Sequence, residues 1–285
     1  MTEILRSNDE LRAWLERSGG PRGVVLTMGA LHEGHMALVA AARSSVPNGT
    51  VMVTVFVNPA QFGPNEDFER YPRSLDDDVA LCAQHGVDAV FAPSVHDVYP
   101  GDAPVPEYDP GTLGDELEGK ARPGHFAGVL KVVARLLRLT EADVTCFGEK
   151  DYQQLVLVQR LNALEPSLQH VQFIGVPTQR DTDGLALSSR NRYLTDIERQ
   201  QALAIPRCLE LVQQACSSGI SAQSAALEGF TALLSAPGVR VDYVTVRGTD
   251  LGPAPARGSG RVLIAARVGT TRLLDNGPVT LGGAA

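Results

Sequence analysis

Residues 23–43 read GVVLTMGALHEGHMALVAAAR, and this stretch indicates the fold class. Its first five residues, 23–27, form an apolar run of the length of a buried strand. Gly29 and Gly34 then allow a tight turn, and the pattern over 34–43 predicts a helix. The predicted core residues of that helix are Met36, Leu38, Val39 and Ala42.

The same alternation of short strands and amphipathic helices continues to about residue 176. The run TVMVTVFV (50–57) has no polar face, which suits a parallel strand covered by helices on both sides. Further strands are expected at 87–91, 144–147 and 171–176, and helices at 8–16, 74–85, 126–139 and 151–164. Alternating strands and helices form right-handed βαβ units. We therefore predict an α/β fold with a Rossmann-like, doubly wound parallel sheet.

The pattern changes near Gly184. Two predicted helices, 195–217 and 221–234, precede strands expected at 239–246, 261–268 and 271–274, with a loop at 252–260. Helices followed by strands predict a smaller α+β domain. We expect a first domain over residues 1–184 and a C-terminal lid domain over 185–285.

The composition is that of a globular protein. The chain has 285 residues, of which 44% are hydrophobic and 20% charged, and its net charge is −8. This acidic balance argues against general binding to nucleic acid or to an anionic membrane. No apolar run approaches the roughly 20 residues of a membrane span. The four cysteines form no C-x-x-C pair, so we expect free thiols and a cytoplasmic protein.

The turn TMGALHEGHM (27–36) is the first candidate for chemistry. His32 and His35 are three residues apart at a helix start, so both imidazoles can face one side. With the amides of that helix start they suit phosphate oxygens and the extra charge of a pentacoordinate phosphorus. Two other interpretations stay open. One histidine caps the turn while the other lies on the surface, or the pair binds a metal, for which further local ligands are missing.

This turn resembles the signature of the HIGH-type nucleotidylyltransferase superfamily. Further segments resemble, in order and spacing, the pantothenate synthetase (pantoate–β-alanine ligase) family within it. These segments are FVNPAQF (56–62), RPGHFAGV (122–129), FGEKDYQQ (147–154), LALSSRNRYL (185–194) and TTRLLDN (270–276). The resemblance covers nearly the whole chain.

The resemblance implies that ATP drives the condensation of (R)-pantoate with β-alanine. Pantothenate, AMP and pyrophosphate are the products, and a pantoyl adenylate is the intermediate. A carboxylate does not condense with an amine in water because hydroxide leaves poorly, and adenylation makes AMP the leaving group. Both steps gain from holding the reactants in line in a dry site. Mg²⁺ and a homodimer are also implied.

The resemblance also implies roles residue by residue. The catalytic positions are His35, His32 and Lys150, with His35 stabilising the charge on the α-phosphate. The ATP-binding positions are Met28, Gly29, Ala30, Leu31, His32, Glu33, Gly34, His35, Gly148, Glu149, Lys150, Asp151, Val176, Leu187, Ser188, Ser189 and Arg190. The pantoate and β-alanine positions are Gln61, Gln154, Asn58 and His125.

Several of these residues have a second interpretation. Asn58 also suits a strand-ending turn, and His125 suits a helix cap as well as a pantoate contact. Asp77 and Asp78 suit either water-mediated Mg²⁺ binding or the dipole of a helix start. Two other functions also stay open: another nucleotidylyltransferase of the superfamily, and a nucleotide-binding protein without catalysis.

Overall fold

The computed structural model describes residues 2–64, 66, 68–101 and 105–282. They form two compact units. The first unit holds the described residues up to Gly148, together with Gln153–Pro177. The second holds Glu149–Tyr152 and the described residues from Thr178 onward. The long stretch of the second unit thus begins at Thr178, before the expected boundary at 184. The role of this unit as a lid domain stays a prediction.

The first unit is built on a parallel sheet of six strands among the described residues, in the order β1-β4-β3-β2-β5-β6. The strands are β1 (Glu3–Leu5), β2 (Arg22–Thr27), β3 (Thr50–Val55), β4 (Ala89–Phe91), β5 (Val144–Gly148) and β6 (Gln172–Val176). The predicted fold class is confirmed. The strand order reverses at β2, so the carboxyl ends of β2, β3 and β5 flank the point where such sheets bind ligands.

The first unit also contains helices, several of which contact the strands of this sheet. They are α1 (Asn8–Arg17), α2 (Glu33–Ser45), α3 (Leu75–Gln84), α4 (Val95–Val98), α5 (Glu118–Ala121), α6 (His125–Leu139), α7 (Tyr152–Gln159) and α8 (Leu161–Leu164). All four predicted core residues of α2 are buried. The predicted helix 151–164 divides because Arg160 N–H bonds back three residues to Leu157 O, which tightens the chain and ends α7.

The second unit has helices on an antiparallel sheet of order β7-β8-β9 among the described residues. Its elements are α9 (Asp196–Ala202), α10 (Ala204–Ser217), α11 (Ala222–Leu234), β7 (Val239–Gly248), β8 (Gly258–Val268) and β9 (Thr271–Leu281). Its core includes Ile205, Val212, Leu233 and Ile264. This is the predicted order of helices and strands.

Two predictions for the second unit need correction. The helix predicted over 195–217 breaks at Leu203, because Pro206 has no N–H and its ring crowds the carbonyl four residues back. The strands are longer than predicted, since β8 and β9 stay paired as far as Gly258 and Leu281. Part of the predicted loop 252–260 is therefore strand.

Helix α6 lies directly against the chain that follows β3. A Cβ atom on Gly128 would collide with the carbonyl oxygen of Ala60 and lie 2.8 Å from Gln61 Cα. Asn58 Nδ2 also donates to Gly128 O at 3.1 Å. Glycine is required at this position for the close approach that seats Gln61.

We predict that Gly128→Ala lowers the free energy of unfolding by about 2–3 kcal/mol, because the added methyl group overpacks backbone that cannot move aside cheaply. Urea unfolding measures the loss. Gly19→Ala is the matched control, since a Cβ there meets no atom of the described residues within 4 Å. Equal stability of the two variants would show that α6 does not seat this turn closely.

Candidate active site

A buried carboxylate holds the loop that follows β2. Asp78, which is 2% exposed, lies in α3. Its Oδ2 accepts the N–H of Ala30 at 3.1 Å, and its Oδ1 accepts the N–H of Leu31 at 2.7 Å. The loop turns through Gly29 and Ala30, whose φ angles are 83° and 52°. Asp78 thereby stabilises a left-handed turn that directs the chain into α2.

The same surroundings affect the ionisation of Asp78, which is one of the two predicted Mg²⁺ positions. Burial raises the pKa of this carboxyl above its ordinary value and outweighs the loop amides, which lower it. Both oxygens of this carboxylate accept loop amide hydrogens, so its contacts give Asp78 a role in supporting the loop. The described residues contain no group of three or more His, Cys, Asp and Glu placed to hold a metal ion. The binding of Mg²⁺ by Asp77 and Asp78 stays a prediction.

The two histidines cap the start of α2 reciprocally. His32 Nδ1 accepts the N–H of Gly34 at 3.1 Å, and His35 Nδ1 accepts the N–H of His32 at 3.2 Å. The ring centroids are 4.2 Å apart. Since each Nδ1 is an acceptor, a neutral ring carries its proton on Nε2. Both half-buried imidazoles are therefore Nε2–H donors.

Amides at this helix start, among them those of Gly34 and His35, have protein acceptors, so the prediction that they are free for an anion is wrong for these residues. Gly34 N–H bonds to His32 Nδ1, and His35 N–H bonds to His32 O at 2.8 Å. Gly29 N–H bonds to Thr27 Oγ1 at 3.2 Å. The imidazole Nε2–H groups of His32 and His35 stay the predicted donors to a phosphate.

Gln61 lies at the end of a short 3-10 turn, Pro59–Gln61, after β3. Its side chain is largely buried, and its Nε2 is 3.0 Å from the sulfur of Met28 in the histidine loop. Its Oε1 accepts a hydrogen bond from Asn58 Nδ2 at 3.1 Å. The carboxamide is thus held in contact with the loop that carries His32 and His35.

Asn58 supports Gln61 from within the same turn. Its Oδ1 accepts from Tyr99 OH at 2.8 Å and from Ala60 N–H at 3.2 Å, and its Nδ2 donates to Gln61 and Gly128. Every polar side-chain atom of Asn58 therefore has a protein partner. The turn interpretation is confirmed, and a direct substrate contact stays a prediction.

A second chain of hydrogen bonds reaches Gln61 from α6. His125 Nδ1 lies 2.9 Å from Gln61 O, and His125 Nε2 lies 2.9 Å from Arg122 Nη1. A guanidinium only donates, so Nε2 accepts and Nδ1–H donates.

Arg122 also binds Glu66 with two bonds of 2.6 Å. Burial raises the pKa of Glu66, but the bonds to Arg122 outweigh it and leave that pKa below its ordinary value.

His125 therefore does not cap α6, which corrects one of its two expected roles. Gly124 is the residue that precedes the helix, and no side-chain hydrogen bond among the described residues caps it. Both ring nitrogens of His125 instead lie in the chain from Glu66 to the main chain of Gln61. A pantoate contact by His125 stays a prediction.

The remaining predicted positions of the first unit lie at strand ends and on α7. Gly148 ends β5 and pairs in register with Val176, which ends β6. Gln154 is half-buried on α7. Its neighbour Gln153 is buried and donates to Leu113 O at 2.7 Å, so these adjacent glutamines have different surroundings. Met28, Gly29, Ala30 and Leu31 form the loop before α2, and Glu33 begins that helix.

The second unit carries the other predicted nucleotide positions. Glu149, Lys150 and Asp151 form a 3-10 turn, in which Lys150 Nζ lies 3.4 Å from Asp151 Oδ1. Ser188 caps a second turn, Ser189–Tyr193, by accepting the N–H of Arg190. Leu187 N–H bonds to Gln179 O at 2.9 Å. The structure therefore places Lys150 and the Ser-Ser-Arg segment in one unit.

Sequence reasoning missed the residues that support these positions. Glu66 and Arg122 are linked through His125 to the carbonyl oxygen of Gln61. Arg261 donates to Glu149 at 2.9 Å. Arg122 lies in the quoted segment RPGHFAGV, which was a signal that it has a role. Nothing local marks Glu66 or Arg261.

The parallel sheet, with polar side chains at the carboxyl ends of β2 and β3, defines a doubly wound α/β protein of the nucleotide-binding type. The family model described as Pantoate-beta-alanine ligase matches residues 3–278. The chain belongs to the pantoate–β-alanine ligase family, and the resemblance seen in its sequence is confirmed.

Individual relatives agree with this assignment. The chain is 50% identical over 283 residues to the pantothenate synthetase of Salinispora arenicola, and the match covers 99% of both. It superimposes on the crystal structure of pantothenate synthetase from Thermus thermophilus with a TM-score of 0.89, at 44% identity, covering 96% of this chain and 98% of that one.

A third relative was solved with ligands. It is the pantoate-beta-alanine ligase from Francisella tularensis complexed with beta-gamma ATP and beta-alanine. The TM-score is 0.78 at 33% identity, and the match covers 97% of each chain. In the part of the chain that the structure describes, no helix has the length and apolar character needed to cross a membrane.

The raised pKa of Asp78 predicts how the free energy of unfolding depends on pH. Because its folded-state pKa is raised, the folded state holds this proton more tightly than the unfolded state. Its contribution to stability is therefore present at low pH and falls as pH rises from the ordinary value of 3.8 through the raised one. We expect the free energy of unfolding of the wild type, minus that of Asp78→Asn, to decrease over this rise.

Urea unfolding of both proteins at a series of pH values measures this difference. Asp77→Asn is the control, because this neighbour on the same helix is exposed. A difference that grows with pH for Asp78→Asn would mean that the loop amides, rather than burial, dominate.

Proposed function

We propose that the chain joins pantoate to β-alanine at the expense of ATP, with release of AMP and pyrophosphate. One observation carries the proposal: two imidazole Nε2–H donors at the end of β2 share a loop with Met28, which contacts the supported Gln61 at the end of β3. In a chain of this ligase family, that arrangement suits a phosphate beside a small carboxylic acid.

The proposed reaction has two steps. A pantoate carboxylate oxygen attacks the α-phosphorus of ATP, a new P–O bond forms, and pyrophosphate leaves with the broken P–O bond. The neutral amine of β-alanine then attacks the acyl carbon. A C–N bond forms, the C–O bond to AMP breaks, and the amine loses a proton.

His35 is proposed to donate its Nε2–H to the α-phosphate oxygens, where negative charge builds up during the first step. A carboxylate attack has no obligatory proton to move, so the imidazole acts by hydrogen bonding. His32 is proposed to hold the phosphates and, through its main chain, to orient His35.

Gln61 is proposed to contact both pantoate and β-alanine. A carboxamide donates to a carboxylate or hydroxyl and accepts from an amine. Asn58 fixes its side chain and His125 fixes its main chain, so the amide is preorganised before substrate binds. Gln154 is proposed as a second pantoate contact.

Lys150, Ser188, Ser189 and Arg190 are proposed to bind the β- and γ-phosphates and the leaving pyrophosphate. A compact ammonium, two hydroxyls and a guanidinium suit those oxygens. The other expected ATP positions, at 28–34, 148, 149, 151, 176 and 187, are proposed to line the nucleotide. Mg²⁺ is expected with ATP, and Asp77 and Asp78 are proposed to hold it through water.

We also propose a cytoplasmic enzyme that forms a homodimer. All four cysteines are free and buried, which supports a reducing compartment. The dimer rests on the family resemblance. The family match favours a ligase over the two alternatives, a different nucleotidylyltransferase and a non-catalytic nucleotide-binding protein.

The test is AMP formation from ATP and Mg²⁺ by the purified chain, with pantoate alone, β-alanine alone and both. We expect sustained AMP release with both substrates only, matched mole for mole by pantothenate. Pyrophosphate release without pantothenate would indicate another nucleotidylyltransferase. ATP binding without turnover would indicate a binding protein.

We predict that His35→Ala lowers turnover by about 10²–10³-fold, because a donor to the developing charge is lost. His35→Glu separates catalysis from capping, since a glutamate at this position still accepts the N–H of His32 but has no N–H to donate. Its turnover should also be low while its melting temperature stays near that of the wild type. His85→Ala, at an exposed histidine at the end of α3, is the control. Full turnover of the glutamate variant would assign His35 to the helix cap alone.

A further inference from the structure

The segment TTRLLDN ends in two buried polar residues that the proposed function does not use. Asp275 and Asn276 are 2% and 3% exposed, in the middle of β9. Buried polar side chains inside a strand need partners, and replacing them by apolar residues often costs no stability. The partners therefore indicate what these residues do.

Asn276 holds the main chain on both sides of Lys150's α-carbon. Its Nδ2 donates to Glu149 O at 2.9 Å and to Lys150 O at 2.7 Å. Its Oδ1 accepts from Arg261 Nε at 2.8 Å. Both donors and the acceptor of the carboxamide are thus used, and both donors go to the peptide groups that flank one lysine.

Arg261 contacts two side chains of the same segment, those of Glu149 and Tyr152. The guanidinium is buried, and its Nη2 donates to Glu149 Oε2 at 2.9 Å. It also lies 4.0 Å from the ring centroid of Tyr152, in cation–π contact. The turn that carries Lys150 is therefore anchored at its first residue, at its lysine and at the tyrosine that follows.

Asp275 holds a second segment. Its two oxygens accept from Arg180 Nη1 at 2.7 Å and Nη2 at 2.8 Å. Arg180 also donates to Gly184 O at 3.0 Å and forms a β-bridge with Ala186. Through Arg180, the buried carboxylate is therefore linked to the turn that leads directly into Leu187–Arg190.

We propose that Asn276 and Asp275 are positioning residues for the two phosphate-binding segments of the second unit. Asn276 sets the main chain from which the flexible Lys150 side chain extends, and Asp275 sets the chain before the Ser-Ser-Arg turn. Two successive residues of one strand thereby fix the mutual placement of Lys150 and residues 188–190. The inference rests on the proposed function, which gives those residues to the phosphates.

The test is a double-mutant cycle of Asn276→Asp with Lys150→Ala. Aspartate keeps the shape of asparagine and the acceptor for Arg261 but has no N–H for the two carbonyls. We expect Asn276→Asp to reduce kcat/KM for ATP by about 10–100-fold, as displacement of a positioned group does, and to leave KM for pantoate within about twofold. In the Lys150→Ala background it should have less than about a twofold further effect on kcat/KM for ATP.

Gln213→Ala is the matched control. It removes an amide-to-carbonyl bond of 2.8 Å to Pro278 on the same strand, away from Lys150, and should leave the kinetics unchanged. Asn276→Ala is measured in the same cycle, so that an aspartate variant that fails to fold is replaced by one without the added charge.

The outcomes separate this inference from the proposed function. A wild type that makes no pantothenate overturns the proposed function. A wild type that is active and impaired by Lys150→Ala, but unaffected by the Asn276 variants, overturns the inference alone. Losses that multiply fully in the double mutant also overturn it, because Asn276 would then act independently of Lys150.

Discussion

The carboxylate of Asp78 is the contact that supports the candidate site of the first unit. The loop after β2 turns its Ala30 and Leu31 amides inward through left-handed backbone, and this is stable because one buried carboxylate accepts both. That turn delivers His32 to the first position before α2. The reciprocal cap between His32 and His35 follows, and with it the placement of both protons on Nε2.

The same device recurs at Gln61 and Lys150. Gln61 is held by Asn58 at its side chain and by His125 at its carbonyl. Lys150 is held through its main chain by Asn276. In each case a buried polar group with fully used hydrogen bonds fixes the residue that would meet a substrate. Such networks favour one arrangement more than they add stability.

The sequence predicted the fold well because apolar periodicity records burial, as in the four buried residues of α2. It also predicted the histidine turn and the segments at the strand ends. It did not predict the supporting partners, because they are distant in the chain: Asp78 is 48 residues from Ala30, and Asn276 is 126 residues from Lys150. A dipole role and a metal role both suited Asp78, and only its contacts identify it as the support of the loop.

Isotope transfer is the sharpest test of the proposal that the histidine loop serves an acyl adenylate. Pantoate labelled with ¹⁸O in its carboxylate is turned over with ATP and β-alanine, and the products are analysed by mass spectrometry. Attack by the carboxylate on the α-phosphorus, followed by cleavage of the acyl C–O bond, predicts one ¹⁸O atom in each AMP. The other stays in pantothenate. AMP without label, or label in inorganic phosphate, would contradict the adenylate and the role given to His35.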